Sequence, residues 1–193
     1  MKSLLSLLLA VAFAPLYSQT HPAINPDLLR YEWKAMWIGP HLSPGEQDRG
    51  VFHFRRAIDL PSKPSSFIVH VSADNRYRLF VNGKAIGIGP ARGDMLHWHF
   101  ETYELAPYLK AGKNIIASQV WNLGDHGPVA QMTIGKTAFL MQGNTEKESA
   151  VNTDTENWKA VRDDAFRLKP VTSKMVFGYY ALGSTDSLLA DRY

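Results

Sequence analysis

The sequence predicts an all-β fold, an antiparallel β-sandwich of jelly-roll type, and three observations carry that reading. About eight short stretches alternate apolar and polar residues, turn residues separate them, and helical periodicity is nearly absent. The clearest unit is a hairpin. Tyr77, Leu79 and Val81 alternate with Arg78, Phe80 and Asn82, Asn82-Gly83 supplies the positive-φ residues of a tight turn, and Ala85-Ile86-Gly87-Ile88 returns.

In chain order, a polar, Pro-containing stretch over residues 19–27 precedes a short helix expected over 28–34. Strands are expected over 51–58, 66–72, 77–82, 85–88, 97–105, 115–122, 131–134 and 138–142. Pro61-Ser62-Lys63-Pro64, Gly112-Lys113-Asn114, the 124–128 run and Gly143-Asn144 mark further turns, and 105–110 reads as one helical turn. The polar run 144–154 reads as a solvated loop, after which Trp158-Lys159-Ala160-Val161 resumes strand character. Alternation places Phe54, Ile68, Val71, Leu79, Val81, Ile116 and Val120 inward.

With 193 residues, 45% hydrophobic and 20% charged, the chain is long enough for one domain with a sizeable core. A net charge of +3, with Lys and Arg scattered, argues against a nucleic-acid role. Zero cysteines exclude disulfides and thiolate metal sites. Lys2 followed by an apolar run from Leu4 to Ala14 reads as a signal peptide over 1–18, cut after Ala14 or after Ser18. That implies a periplasmic or secreted protein with no membrane contact after cleavage; the alternative is an uncleaved helix anchor. The expected organisation is then a linker over 19–30, a β-sandwich domain over 31–180, and over 181–193 the start of a following segment, the alternative being a short domain with a frayed end.

Glycoside hydrolysis needs two carboxylates flanking the scissile bond, and Asp94, Glu101, Glu104 and Asp125 form no convincing pair; Glu101 and Glu104 project to opposite faces of a strand. Sugar binding needs an aromatic face and a few polar groups. Trp98 follows a long loop, and Trp121 leads into a second loop holding Asp125 and His126, so Trp98, Trp121 and His126 are candidate carbohydrate contacts. Asp74-Asn75, ahead of the hairpin, reads first as turn chemistry. His97-x-His99 lacks an evident third metal ligand, and Arg92-Gly93-Asp94 reads as a turn with its two charges paired across it.

Four pieces in order, WKAMWIGP (33–40), FHFRRAIDL (52–60), SADNRYRLFVNGK (72–84) and YELAPYLKAGKNIIASQVWN (103–122), resemble the non-catalytic β-sandwich of bacterial α-L-rhamnosidases and related glycoside hydrolases, over roughly residues 31–180. The resemblance implies a galactose-binding-like sandwich serving as an accessory carbohydrate-binding or scaffolding domain of an exported enzyme. Its catalytic helical barrel would lie downstream in the same protein and is absent from this chain. The implied partner is a plant or bacterial rhamnose-containing glycan. The resemblance also implies that Asp74 and Asn75 form a calcium site that, with Trp98, assists rhamnose binding. A stand-alone carbohydrate-binding module and a ligand-free spacer are the other two readings.

Overall fold

A computed structural model describes residues 24–124, 127, 133–169 and 185–192. The proposed leader, His126 and Asp125 lie outside the described residues, as do residues 131 and 132 of one expected strand. Among the described residues ten strands are formed: β1 (Gly50–Leu60), β2 (Ile68–Asp74), β3 (Arg76–Val81), β4 (Lys84–Gly89), β5 (Glu101–Glu104), β6 (Gly112–Asn122), β7 (Ala138–Gly143), β8 (Lys159–Arg162), β9 (Phe166–Lys169) and β10 (Thr185–Leu188). A five-stranded sheet runs β4-β3-β6-β1-β8, a three-stranded sheet runs β5-β2-β7, and β9 and β10 form a separate pair. Every pairing is antiparallel, so the chain is an all-β antiparallel sandwich.

The two larger sheets meet through one apolar layer that follows the two-residue period of each strand. Phe52, Phe54 and Ile58 of β1, Tyr77, Leu79 and Val81 of β3, and Ile116 and Val120 of β6 face Val69, Val71 and Ala73 of β2 and Phe139 and Met141 of β7. Phe139 sits among three aromatic rings, its centroid 5.4 Å from Phe54, 6.3 Å from Tyr77 and 5.3 Å from Trp158. Of the residues expected inward, Ile68 is the exception: it pairs with Glu104 and is only half-buried. Val69 shares the parity of Val71 and takes the core position instead.

Local chemistry explains the turns. Asn82 and Gly83 adopt φ of 50° and 80°, the left-handed region that this tight hairpin requires. The Asn82 side chain then ties the hairpin to its neighbours, its Oδ1 accepting from Ile115 N at 2.9 Å and its Nδ2 donating to Tyr108 O at 2.9 Å. Asn114, fully buried, closes the adjoining turn by accepting from Lys110 N and donating to Lys110 O and Gly112 O. Ahead of it the expected helical turn is a 3-10 turn over Ala106–Tyr108.

Three other expectations are corrected. The run 144–154 is not a solvated loop: Thr145 and Glu148 form a capping box that starts a 3-10 helix over Glu146–Val151, and Glu148, Val151 and Thr153 are buried. The strand expected over 97–105 shortens to Glu101–Glu104, because residues 91–97 form an exposed loop. The short helix expected over 28–34 comes earlier, as a 3-10 turn over Pro26–Leu29 whose Asn25 cap fits Asn-Pro chemistry. Asn25 also donates to Asn144 Oδ1 and O, fastening that segment to the sandwich.

Phe139→Ala should cost about 3–5 kcal/mol in urea unfolding, whereas Ile68→Ala should cost less than about 1.5 kcal/mol, since only the first removes a ring from the centre of the inter-sheet layer. Glu104 gives a pH test. Partial burial pushes its carboxyl up, but bonds from Ser66 Oγ, Ala106 N and Phe67 N outweigh that and hold it below its ordinary value. A carboxylate with a depressed folded-state pKa contributes stability above its unfolded value and loses it as pH falls through the folded one. Glu104→Gln should therefore destabilise by about 1–2 kcal/mol at pH 7, and the difference in unfolding between variant and wild type should begin to shrink as pH falls below the ordinary carboxyl value of about 4.3 and close only below the depressed folded-state one.

Candidate carbohydrate-binding site

The outer face of the three-stranded sheet carries His70 and Ser72 from β2 and Leu140 and Gln142 from β7, all buried. Buried polar groups must find partners, and here they recruit two distant segments. Gln142 Oε1 accepts Ala35 N at 2.9 Å. Ser72 Oγ donates to His99 O at 2.8 Å and accepts Trp98 Nε1 at 3.0 Å. His70 bonds Thr102 Oγ1 and Asn144 Oδ1, each at 2.9 Å. Burial holds the His70 imidazole below its ordinary pKa, which keeps it neutral near pH 7.

Met36 N donates to Thr153 O and Ile38 bridges to Phe139, so residues 35–38 are laid along β7. The consequence is a groove of about 500 Å³ lined by Trp33, Trp37, Trp98 and Phe100. Trp37 and Trp98 meet edge to face at 5.9 Å and 81°, and Trp33 and Phe100 at 5.0 Å and 66°. Glu32 and His99 stand exposed along its rim. Aromatic walls with a carboxylate and an imidazole at the edge can stack the C–H face of a sugar and bond its hydroxyls.

Of the sequence-derived candidates, Trp98 lies in this groove. Asp74 sits two residues beyond Ser72 on the same strand face, about 7 Å along β2, with Asn75 next to it where the chain crosses to β3. Trp121 does not join them: its ring lies on the outer face of the five-stranded sheet, beside Arg78. The position of His126 lies outside the described residues. Trp33 and Trp37 are not among the sequence candidates, and the signal the sequence holds for them is their four-residue spacing in the run 33–37 ahead of the first strand.

Asp74 and Asn75 are buried, joined by a cis peptide, and occupied by N–H donors. Asp74 Oδ1 accepts Asn75 Nδ2 at 2.5 Å and Oδ2 accepts Ile134 N at 2.6 Å, while Asn75 Oδ1 accepts Leu123 N at 3.0 Å. Calcium takes about six to eight oxygens. The described residues form no cluster of three His, Asp or Glu able to hold a metal ion. The pair serves the crossover between sheets, and an ion would have to share or displace these N–H bonds. Arg92 and Asp94 do not pair across their turn as expected; Asp94 instead accepts from Leu96 N and meets His97 Nδ1 at 2.8 Å. That histidine contact, first, and the Leu96 N–H hold the Asp94 carboxyl below its ordinary pKa.

No family model matches the chain, and no curated protein matches it. Among solved structures it is similar to the GH78 family rhamnosidase of Bacillus sp. GL1, with a TM-score of 0.63 and 23% identity over 84% of this chain and 17% of that one. It also matches the α-L-rhamnosidase of Aspergillus terreus, with a TM-score of 0.49 and 18% identity over 67% of this chain and 17% of that one. The first match establishes a shared fold. The chain spans 17% of the length of either enzyme.

Asp74→Ala leaves two N–H donors, from Asn75 and Ile134, without their acceptor. It should lower stability by about 1–3 kcal/mol, read by thermal or urea unfolding, and the loss should be the same with calcium or with excess chelator.

Proposed function

We propose that this chain is an accessory carbohydrate-binding domain of an exported α-L-rhamnosidase-like glycoside hydrolase, and that the Trp33–Trp37–Trp98 groove holds a rhamnose-containing glycan. The groove itself carries the proposal: three indole rings and a phenyl ring are gathered over a polar sheet face and left accessible. A 6-deoxy sugar, with one methyl and three ring hydroxyls, suits walls that are mainly apolar with few polar groups at the rim. The shared fold with a rhamnosidase domain supports the enzyme context. Hydrolysis is assigned to the downstream catalytic domain that this reading requires, and the role of the present chain is to hold substrate.

A monosaccharide buries little surface, so affinity for L-rhamnose should be weak, about millimolar to tens of micromolar. Calorimetry should show Trp98→Ala binding about tenfold more weakly through loss of the stacking face, with Trp37→Ala changing affinity in the same direction. Titrations in calcium and in excess chelator test the ion. Equal affinity in both removes calcium from the site, and no measurable rhamnose binding in either overturns the binding reading in favour of a scaffold.

A further inference from the structure

The outer face of the five-stranded sheet presents a second, chemically different surface. Strand alternation puts Arg76 and Arg78 of β3 on that face, with Trp121 of β6 directly opposite Arg76 and Gln119 opposite Arg78. The Arg78 guanidinium carbon lies 6.0 Å from the centre of the Trp121 ring, within cation–π range. Both arginines are exposed, and the indole is half-buried. Ile88 and Leu123 complete a groove of about 310 Å³, and none of its lining residues is acidic. Trp121 thus offers a flat apolar surface beside a forked cationic donor.

We propose that this groove binds a carboxylate-bearing sugar of an acidic polysaccharide. The pyranose ring rests against Trp121 and Ile88, and the Arg78 fork takes the carboxylate in two parallel N–H···O bonds, a geometry that guanidinium provides and ammonium does not. A single indole serves one ring at a time. Sequence-tolerant binders of single-stranded nucleic acid instead use several aromatic platforms along a basic track, which favours the sugar. The site lies on the opposite sheet from the Trp98 groove and does not depend on it.

The test is affinity electrophoresis of the full chain through gels containing polygalacturonate, methyl-esterified polygalacturonate, or a single-stranded thymidine oligonucleotide, with folding of each variant checked by circular dichroism. The wild type should be retarded by polygalacturonate, and masking the carboxylates as methyl esters should abolish most of that retardation. Arg78→Gln should weaken retardation about tenfold, as expected for loss of a charge-assisted bond. Lys159→Gln removes the same charge from an exposed position at the far edge of the same sheet and should change it by less than twofold, by the screening of separated surface charges. Trp98→Ala should leave it unchanged, which separates this site from the rhamnose groove. Equal weakening by Arg78→Gln and Lys159→Gln, equal retention by the esterified polymer, or equal retention by the oligonucleotide would each overturn the proposal.

Discussion

Two adjacent strands of the three-stranded sheet, β2 and β7, are buried on both faces, and that constraint governs this structure. Along β2 every residue after Ile68 is buried, and along β7 every residue is. The inner face meets the apolar layer built on Phe139, but the outer face carries His70, Ser72 and Gln142, whose polar atoms lose water and find only some of their partners within the sheet, as His70 does in Thr102. Leaving such groups unpaired costs more than any single apolar contact returns. The chain meets the requirement by laying residues 33–37 and 97–100 over that face, and the arrangement of the N-terminal segment follows from those bonds.

The aromatic groove is a by-product of that cover. Ala35 and Ile38 are points of attachment, through Gln142 and Phe139, and Met36 and Trp37 between them keep their side chains toward solvent, while Trp33 lies half-buried against His70 and Phe100. Trp98 is attached through Ser72, and its indole is thereby turned toward Trp37. The same hydrogen bonds that satisfy the sheet thus preorganise the ring surface, which reduces the ordering cost that a ligand would otherwise meet on binding. Fold and candidate site share one set of contacts.

The five-stranded sheet solves a different problem. Its outer face is largely solvated, with Arg55, Arg76, Arg78 and Lys159 pointing outward along β1, β3 and β8. Among the described residues, Arg76 and Arg78 remain exposed on that face and Trp121 half-exposed. The two faces of the sandwich therefore differ in character: one aromatic and nearly uncharged apart from its rim, the other cationic with one indole.

Much of the fold could be read from the residues in order, because the relevant physics is local. Alternation identifies β1, β2, β3, β4, β6 and β7 to within a few residues, the Asn82-Gly83 turn follows from backbone sterics, and the Thr145–Glu148 capping box is written in the chain even though the polarity of the run reads as a loop. Trp98 was found as a candidate for the same reason, as an aromatic residue beside a loop. The rest depended on partners far away in sequence. Alternation assigns residues to two faces, but what covers a face is set by segments 26 to 107 residues away, as Trp98 does for Ser72 and Ala35 for Gln142. Trp98 and Trp121 look alike as local patterns, yet the first closes a groove with Trp33 and Trp37 while the second lies on the other sheet beside Arg78. Asp74 shows the same limit: its type suits a metal, and the two N–H groups that engage its oxygens come from Asn75 next to it and from Ile134, sixty positions along the chain, which only the folded arrangement brings within reach.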